Sequence, residues 1–342
     1  MKSSWPSFWL AGQQPPLWAR ALEWLYCAVL VLRRMGYARG FFQTTHLPVP
    51  VLIVGNRVVG GTGKTPLLMA LIPQLQAQGW HVGIVSRGYG RKDKQVRLVL
   101  SDSTTEQVGD EPLLLFQQLA VPIVVGADRV AAAALLLAQS PVDLIVSDDG
   151  WQHWALGRDV VIEVVDGARG YGNRHCLPAG PLRELPEGLP NADLTLYNGK
   201  DFALKPRCWK NIKTGECLPL VQLSGSVRAL AGIGNPQRFF DGLIALGLTL
   251  DKALPLADHQ AVTQADFEWD DLGLPVVMTA KDAVRCAGFA RSHWWALEVT
   301  TEIESSLLQP VIDKIKILLG TSKNPMGRKS EGRGYKKEHV TS

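Results

Sequence analysis

Apolar residues in this chain fall into short continuous blocks, separated by stretches with helical spacing. Residues 49–55 form the first block, rich in β-branched side chains, and glycines lead from it into the helical pattern of 66–72. Blocks at 81–86, 121–125, 142–147, 160–165 and 194–197 repeat the theme, with helical segments at 113–119 and 129–138. Continuously apolar strands alternating with helices predict a mostly parallel sheet with helices on both faces. Sites in such α/β sheets gather beyond the carboxyl ends of the strands. A smaller α/β unit is expected from 221, with strands at 227–233, 275–279 and 294–299 and helices at 236–246, 281–290 and 304–319. The Pro-, Lys- and Gly-containing stretch 203–220 reads as a linker. The expected plan is an N-terminal helical segment 1–40, a core 41–202, a linker 203–220, a C-terminal domain 221–320 and a tail 321–342.

Residues 17–35 are the most apolar helical stretch, but their uninterrupted run, 24–32, falls short of the ~20 apolar residues that cross a bilayer. Arg20 and Glu23 break the segment, and no small-residue cleavage site follows Arg33-Arg34, which argues against a signal peptide. Trp18, Trp24 and Tyr26 suit headgroup depth, and Arg33-Arg34 suits anionic lipid, so the helix is expected at a membrane surface. The competing reading packs it on the protein body. The tail is rich in Gly, Lys and Arg and is expected to be disordered; a tether to acidic lipid is its second reading.

Composition adds exclusions. The 342 residues are 46% hydrophobic and 20% charged, as in ordinary globular proteins. The net charge of +4 comes from the two ends: residues 1–40 hold Lys2, Arg20, Arg33, Arg34 and Arg39 against Glu23, and the tail is similarly basic. The body therefore lacks the basic face of a nucleic-acid binder. Five scattered cysteines, none in a C-x-x-C spacing, argue against a disulfide framework and a zinc site and fit a reducing compartment.

The turn after the first block is Val58-Val59-Gly60-Gly61-Thr62-Gly63-Lys64-Thr65. It follows the phosphate-loop pattern G-x-x-x-x-G-K-[ST], except that Val58 replaces the first glycine. Three glycines let backbone N–H groups turn toward phosphate oxygens. Lys64 supplies charge to the β- and γ-phosphates, Thr65 a hydroxyl for Mg²⁺, and the following helix its positive end. The strand at 142–147 ends in Asp148-Asp149-Gly150, where a carboxylate at the strand tip can hold Mg²⁺; an Asp-Gly turn is the plainer reading. Gly109-Asp110-Glu111-Pro112 precedes a helix, and helix capping and proton transfer are both open there. Arg129, Arg169 and Arg183 are candidates for neutralising a transferred phosphoryl group.

Together with Val54-Gly55-Asn56, Ser86-Arg87-Gly88-Tyr89-Gly90-Arg91, Asp148-Asp149-Gly150-Trp151-Gln152-His153 and Leu177-Pro178-Ala179-Gly180-Pro181-Leu182-Arg183-Glu184, these motifs closely resemble the tetraacyldisaccharide 4′-kinase family over about residues 15–320. The resemblance implies transfer of the ATP γ-phosphate to the 4′-hydroxyl of an acylated glucosamine disaccharide 1-phosphate, forming lipid IVA in lipid A biosynthesis. It implies ATP and Mg²⁺, a place on the cytoplasmic face of the bacterial inner membrane, and no obligate protein partner. The implied fold is a P-loop NTPase-like core with a smaller C-terminal α/β domain and an N-terminal membrane-associated helix. By the same resemblance Asp110 matches the base and His259 its helper. Glu111, Asp148 and Asp149 match metal-binding acids, and Arg129, Arg183 and Glu184 match further active-site positions. The chain departs from the family pattern at Trp151, where Phe is expected, at Gln260, where an aromatic or His is expected, and at Ala280, where Glu is expected. A nucleotide switch without an acceptor is the alternative class. Asn198-Gly199-Lys200-Asp201 resembles a guanine-recognition signature but has the wrong spacing.

Overall fold

The computed structural model describes residues 5–184, 191–257, 262–270 and 273–322. His259 and the tail beyond residue 322 lie outside the described residues. A surface helix α1 (Leu17–Ala38) comes first. The first half of the chain then runs β1 (Val51–Gly55), α2 (Lys64–Gln76), β2 (Val82–Ser86), β3 (Arg97–Leu98), α3 (Thr105–Val108), α4 (Asp110–Gln118), β4 (Ile123–Val125), α5 (Arg129–Gln139), β5 (Leu144–Asp148), β6 (Val160–Asp166) and β7 (Leu194–Asn198). The second half runs β8 (Phe202–Asn211), β9 (Cys217–Pro219), β10 (Gly225–Ala231), α6 (Pro236–Ala245), β11 (Leu248–Pro255), β12 (Val276–Thr279), α7 (Ala280–Cys286), β13 (Trp294–Ile303) and α8 (Ser305–Ser322).

All described strands join one sheet, ordered β11-β10-β12-β13-β8-β7-β6-β1-β5-β2-β4-β3, with β9 on β8. Pairing is parallel around β1, which lies between β5 and β6. Side chains of β1 alternate between two cores: Leu52 and Val54 meet α2 and α8, while Val51 and Ile53 meet α5. Burial on both faces explains why β1 reads as an unbroken apolar block. Its register sets Val54 beside Asp148, so the glycine turn after β1 and the acidic tip of β5 emerge side by side.

The stretch 203–220 corrects the expectation of a linker. Its first part is β8, paired antiparallel with β13 from Phe202–Ile303 to Asn211–Trp295. Pro206 sits beside a register shift in that ladder, the irregular place where a strand tolerates a residue without N–H. The C-terminal helix α8 returns Leu308, Val311, Ile312 and Ile315 to the core of the first half. The two halves therefore share one sheet and part of one core.

Only Ala19 of α1 is buried. Among the described residues, no helix is long and apolar enough to cross a membrane.

Candidate active site

The loop after β1 is shaped by glycine where no other residue fits easily. Gly60 and Gly63 have φ of 97° and 100°, left-handed values that cost side-chain-bearing residues energy. A Cβ on Gly63 would also lie 2.5 Å from Asn198 Nδ2. That amide, at the end of β7, donates to the Thr62 carbonyl at 3.1 Å. Arg169 Nη2 donates to the Gly61 carbonyl at 2.6 Å. The guanidinium is held by Asp166 at 2.9 Å and lies 4.8 Å from the centre of the Trp5 ring. Arg169 thus braces the loop from outside. Val58 is buried against Trp5, Cys176 and Leu182, and its backbone bridges to Leu182. The position of the missing first glycine is therefore a packed one, with its side chain turned into the protein.

Gly63 is the N-cap of α2 and offers no side-chain cap, so the first amides of the helix keep their hydrogen-bonding capacity for an anion. Lys64 and Thr65 occupy that first turn. Lys64 Nζ donates to Asn56 Oδ1 at 3.2 Å and lies 3.5 Å from Asp149 Oδ1. Asn56 is fully buried, and its amide donates to the Val58 carbonyl at 2.8 Å.

The two aspartates at the tip of β5 differ sharply. Asp148 is buried, its Oδ2 accepts from Ser86 Oγ at 2.9 Å, and its Oδ1 has no hydrogen-bond donor among the described residues. Burial, then the charge of Glu111, pushes it up to about 6 against the pull of Lys64. Asp149 stands at φ 52°, a strained value for this residue. Burial would raise it too, but Lys64 and Arg183 hold it down to about 2. Arg183 Nη1 donates to its Oδ2 at 2.8 Å. Backbone pairing places Arg183 there: Arg183 N donates to the Arg57 carbonyl at 2.8 Å, and Val59 N to the Pro181 carbonyl at 2.9 Å. A buried carboxylate oxygen without a donor, on a tip also bordered by Glu111, suits an oxygen-seeking divalent cation.

Arg129 opens α5 and is buried, with Nη1 donating to the Gly126 carbonyl at 2.7 Å. Burial lowers its guanidinium to about 10, opposed by Asp148 and Asp149, whose charges it feels. Gly109 takes the N-cap of α4, which leaves Asp110 and Glu111 in the first turn with their side chains turned to other work. Arg285 of α7 donates to Asp110 Oδ2 through Nε at 3.0 Å and through Nη2. Lys281 Nζ donates to Glu111 Oε1 at 3.2 Å.

Lys64, Arg183, Asp148 and Asp149 are thus drawn together, with Arg129 and Glu111 within electrostatic reach. Glu184 goes elsewhere: it is buried with Arg33 and Arg34 of α1 and Arg158 as its charged neighbours, and burial raises its carboxyl. Asn198 belongs to the loop brace, and Asp201 Oδ2 accepts from Tyr197 N at 2.7 Å, so that signature is a turn. Trp151 is fully buried under the Arg57 guanidinium at 4.7 Å. Sequence reasoning assigned no role to Ser86, Asn56, Asn198, Lys281 or Arg285, although Asn56 and Ser86 lay inside motifs already noted. Nor did spacing foretell that Cys27 and Cys176 meet Glu23 under α1, with ligand atoms all within 4.8 Å of one another.

A parallel sheet whose central strand enters a left-handed glycine loop, beside a strand tipped with two aspartates, defines the phosphate-loop class of nucleotide-binding proteins. The family model for LpxK, tetraacyldisaccharide-1-P 4′-kinase, matches residues 16–316, and the chain belongs to that family. The tetraacyldisaccharide 4′-kinase of Methylobacillus flagellatus is 44% identical over 312 residues, covering 88% of this chain and 92% of that protein. The enzyme of the same name from Pseudomonas fluorescens is 45% identical over 304 residues, covering 85% and 89%. The crystal structure of LpxK from Aquifex aeolicus in complex with ATP superimposes with a TM-score of 0.72 at 27% identity, covering 87% of this chain and 98% of that one.

Proposed function

We propose that this chain is a tetraacyldisaccharide 4′-kinase, moving the γ-phosphate of ATP to the 4′-hydroxyl of a tetraacyldisaccharide 1-phosphate to give lipid IVA. The observation that carries the reading is the convergence of Lys64, Arg183, Asp148 and Asp149 beside the uncapped start of α2. Amides of Gly60 to Thr65 receive the β- and γ-phosphates, and Lys64 neutralises their charge. Arg129 and Arg183 stabilise the charge that spreads over the phosphoryl oxygens in the transition state. Thr65, Glu111, Asp148 and Asp149 are the residues that would hold Mg²⁺, which supplies electrostatic stabilisation to the same oxygens. Asp110 accepts the proton of the attacking 4′-hydroxyl, with His259 as its helper. Glu184 would act only at a distance, through the charges of Arg33, Arg34 and Arg158 around it.

The workplace we assign is a membrane surface, on the cytoplasmic face of the inner membrane. The α1 helix is inverted relative to an ordinary amphipathic helix. Three of its polar side chains reach back to the protein: Tyr26 Oη donates to the Arg183 carbonyl, Glu23 accepts from Cys176 N, and Arg33 donates to the Gln152 carbonyl. Its apolar residues Trp18, Leu22, Leu25, Val29 and Leu32, spaced by four and three, face outward. Such a stripe suits acyl chains and the headgroup boundary.

The deciding experiment incubates the protein with γ-labelled ATP, Mg²⁺ and tetraacyldisaccharide 1-phosphate in detergent micelles. Label in the lipid is the expected result. Label released only as inorganic phosphate would replace the kinase with a nucleotide switch.

A further inference from the structure

The acceptor-side carboxylate Asp110 lies in the first half of the chain, yet a residue of the second half grips it. We infer that Arg285 is a positioning residue for Asp110: its guanidinium, itself fixed by Asp282, sets the rotamer of the carboxylate that receives the 4′-hydroxyl proton. The inference rests on the reading of Asp110 as the base.

The contacts form a short relay. Asp282 is fully buried, and its Oδ2 accepts from Gly232 N at 3.0 Å and from Thr279 Oγ1 at 2.6 Å. Those bonds leave Oδ1 facing Arg285 Nη1 at 3.0 Å. With one edge of the guanidinium anchored, Nε and Nη2 both point at Asp110 Oδ2. A planar fork held at two sides cannot swing freely, so it dictates where its second carboxylate sits.

A stabilising surface pair does not account for this arrangement. The side chains of Arg285 and Asp110 are 6% and 9% exposed. Ion pairs this deep give back in desolvation much of what they gain, so burial of this kind is weak grounds for a stability role. Location favours the functional one, because Lys281, one turn earlier on α7, holds Glu111 beside it. Both acids of the α4 first turn are thus set by α7. A misplaced base costs rate without costing substrate affinity, since ground-state binding does not use it.

In the reaction, the 4′-oxygen forms its bond to the γ-phosphorus as the bond to the β,γ-bridging oxygen breaks. ADP leaves with that electron pair, and the hydroxyl proton passes to Asp110. Arg285 touches neither substrate in this scheme. It acts through Asp110 alone.

The test compares Arg285→Ala, Arg285→Lys, Gly232→Ala and Asp110→Asn in the labelled-lipid assay, with thermal unfolding alongside. Arg285→Ala is expected to lower kcat by at least about tenfold while KM for ATP stays within about twofold. Millimolar guanidinium ion should restore part of that loss, and Arg285→Lys, which keeps the charge but loses the fork, should recover only a minor part of the activity. Gly232→Ala keeps every charge but places a methyl 2.9 Å from both Arg285 Nη1 and Asp282 Oδ1. It should therefore lower kcat in the same selective way, and it remains informative if the alanine variant at 285 fails to fold. The inference is overturned if Arg285→Ala turns over normally. It is equally overturned if its loss is rescued by neither lysine nor guanidinium and tracks a fall in Tm. Should Asp110→Asn turn over like the parent, the base reading fails first. An inactive Asp110→Asn beside a normal Arg285→Ala would sink the positioning role alone.

Discussion

Asn198 Nδ2 donates to the Thr62 carbonyl at 3.1 Å and stands 2.5 Å from the place a Cβ on Gly63 would occupy. One side chain from the end of β7 thus both braces the glycine loop and forbids anything larger than glycine beneath it. Asn198→Ala removes one buried hydrogen bond, worth about 1 kcal/mol, and should weaken ATP binding about fivefold. Gly63→Ala meets both the amide and the left-handed backbone, so its loss should exceed tenfold, roughly the effect of adding a strained φ. Titration calorimetry with ATP reads both numbers. Parent-like affinity in the two variants would mean that the loop is not the phosphate site.

Asp148 predicts an opposition between stability and activity. Burial and Glu111 push its carboxyl up to about 6, so the ionised form is costly in the metal-free protein at neutral pH. Asp148→Asn removes that charge while keeping the shape. It should raise the Tm of the metal-free protein at pH 7.5 by about 1–2 °C, the shift that ~1 kcal/mol brings in a chain of this size, and abolish lipid phosphorylation. Scanning calorimetry in a chelator and the labelled-lipid assay test the two halves. A lower Tm would show that Asp148 is a structural group.

Much of the first half could be read from residues alone, for a physical reason. Strands such as β1 and β5 are buried on both faces, so they appear as unbroken apolar blocks, and left-handed turns demand glycine. The second half was less legible. β8 carries Lys205, Pro206 and Arg207 because its middle is solvent-exposed, and β11 carries Asp251 and Lys252 because it is an edge strand. Polar composition in those places records exposure, and it reads as linker or loop. The site divides similarly. Lys64 and the β5 acids follow from local motif chemistry, whereas Asn198 and Arg285 act across 136 and 175 positions of chain. No local pattern encodes such distances.

Asp270 carries the clearest acid dependence outside the site. Burial alone would raise its carboxyl, but hydrogen bonds from His293 and Trp294, with Arg291 nearby, leave it below the ordinary 3.8. A carboxylate depressed by folding contributes stability in full above its unfolded value and loses it as pH falls through the folded one. Asp270→Asn should therefore lower Tm at pH 7 and by no less at pH 5. The gap to the parent should narrow only below about pH 3.8. A gap that already narrows between pH 7 and 5 would assign the effect to another group.

The outward stripe of α1 makes the last prediction. Trp24 and Leu25 are 75% and 57% exposed, so replacing both with serine removes little packing from the protein. Burying an apolar side chain of this size contributes about 1.5–3 kcal/mol. Loss of two should therefore weaken partition onto anionic vesicles by at least about tenfold, even if each side chain is only partly inserted. The exposed Arg20 and Arg34 of α1, with Arg39 just after it, should make the remaining binding salt-sensitive. ATP affinity and Tm should not move, because neither residue reaches the phosphate loop. The KM for lipid presented in vesicles should rise, while turnover on substrate dispersed in detergent stays near the parent value. Vesicle sedimentation at low and high salt, paired with the two assays, separates a membrane contact from a packing role. Unchanged partition in the double variant would return α1 to the reading of a helix that serves only the protein body.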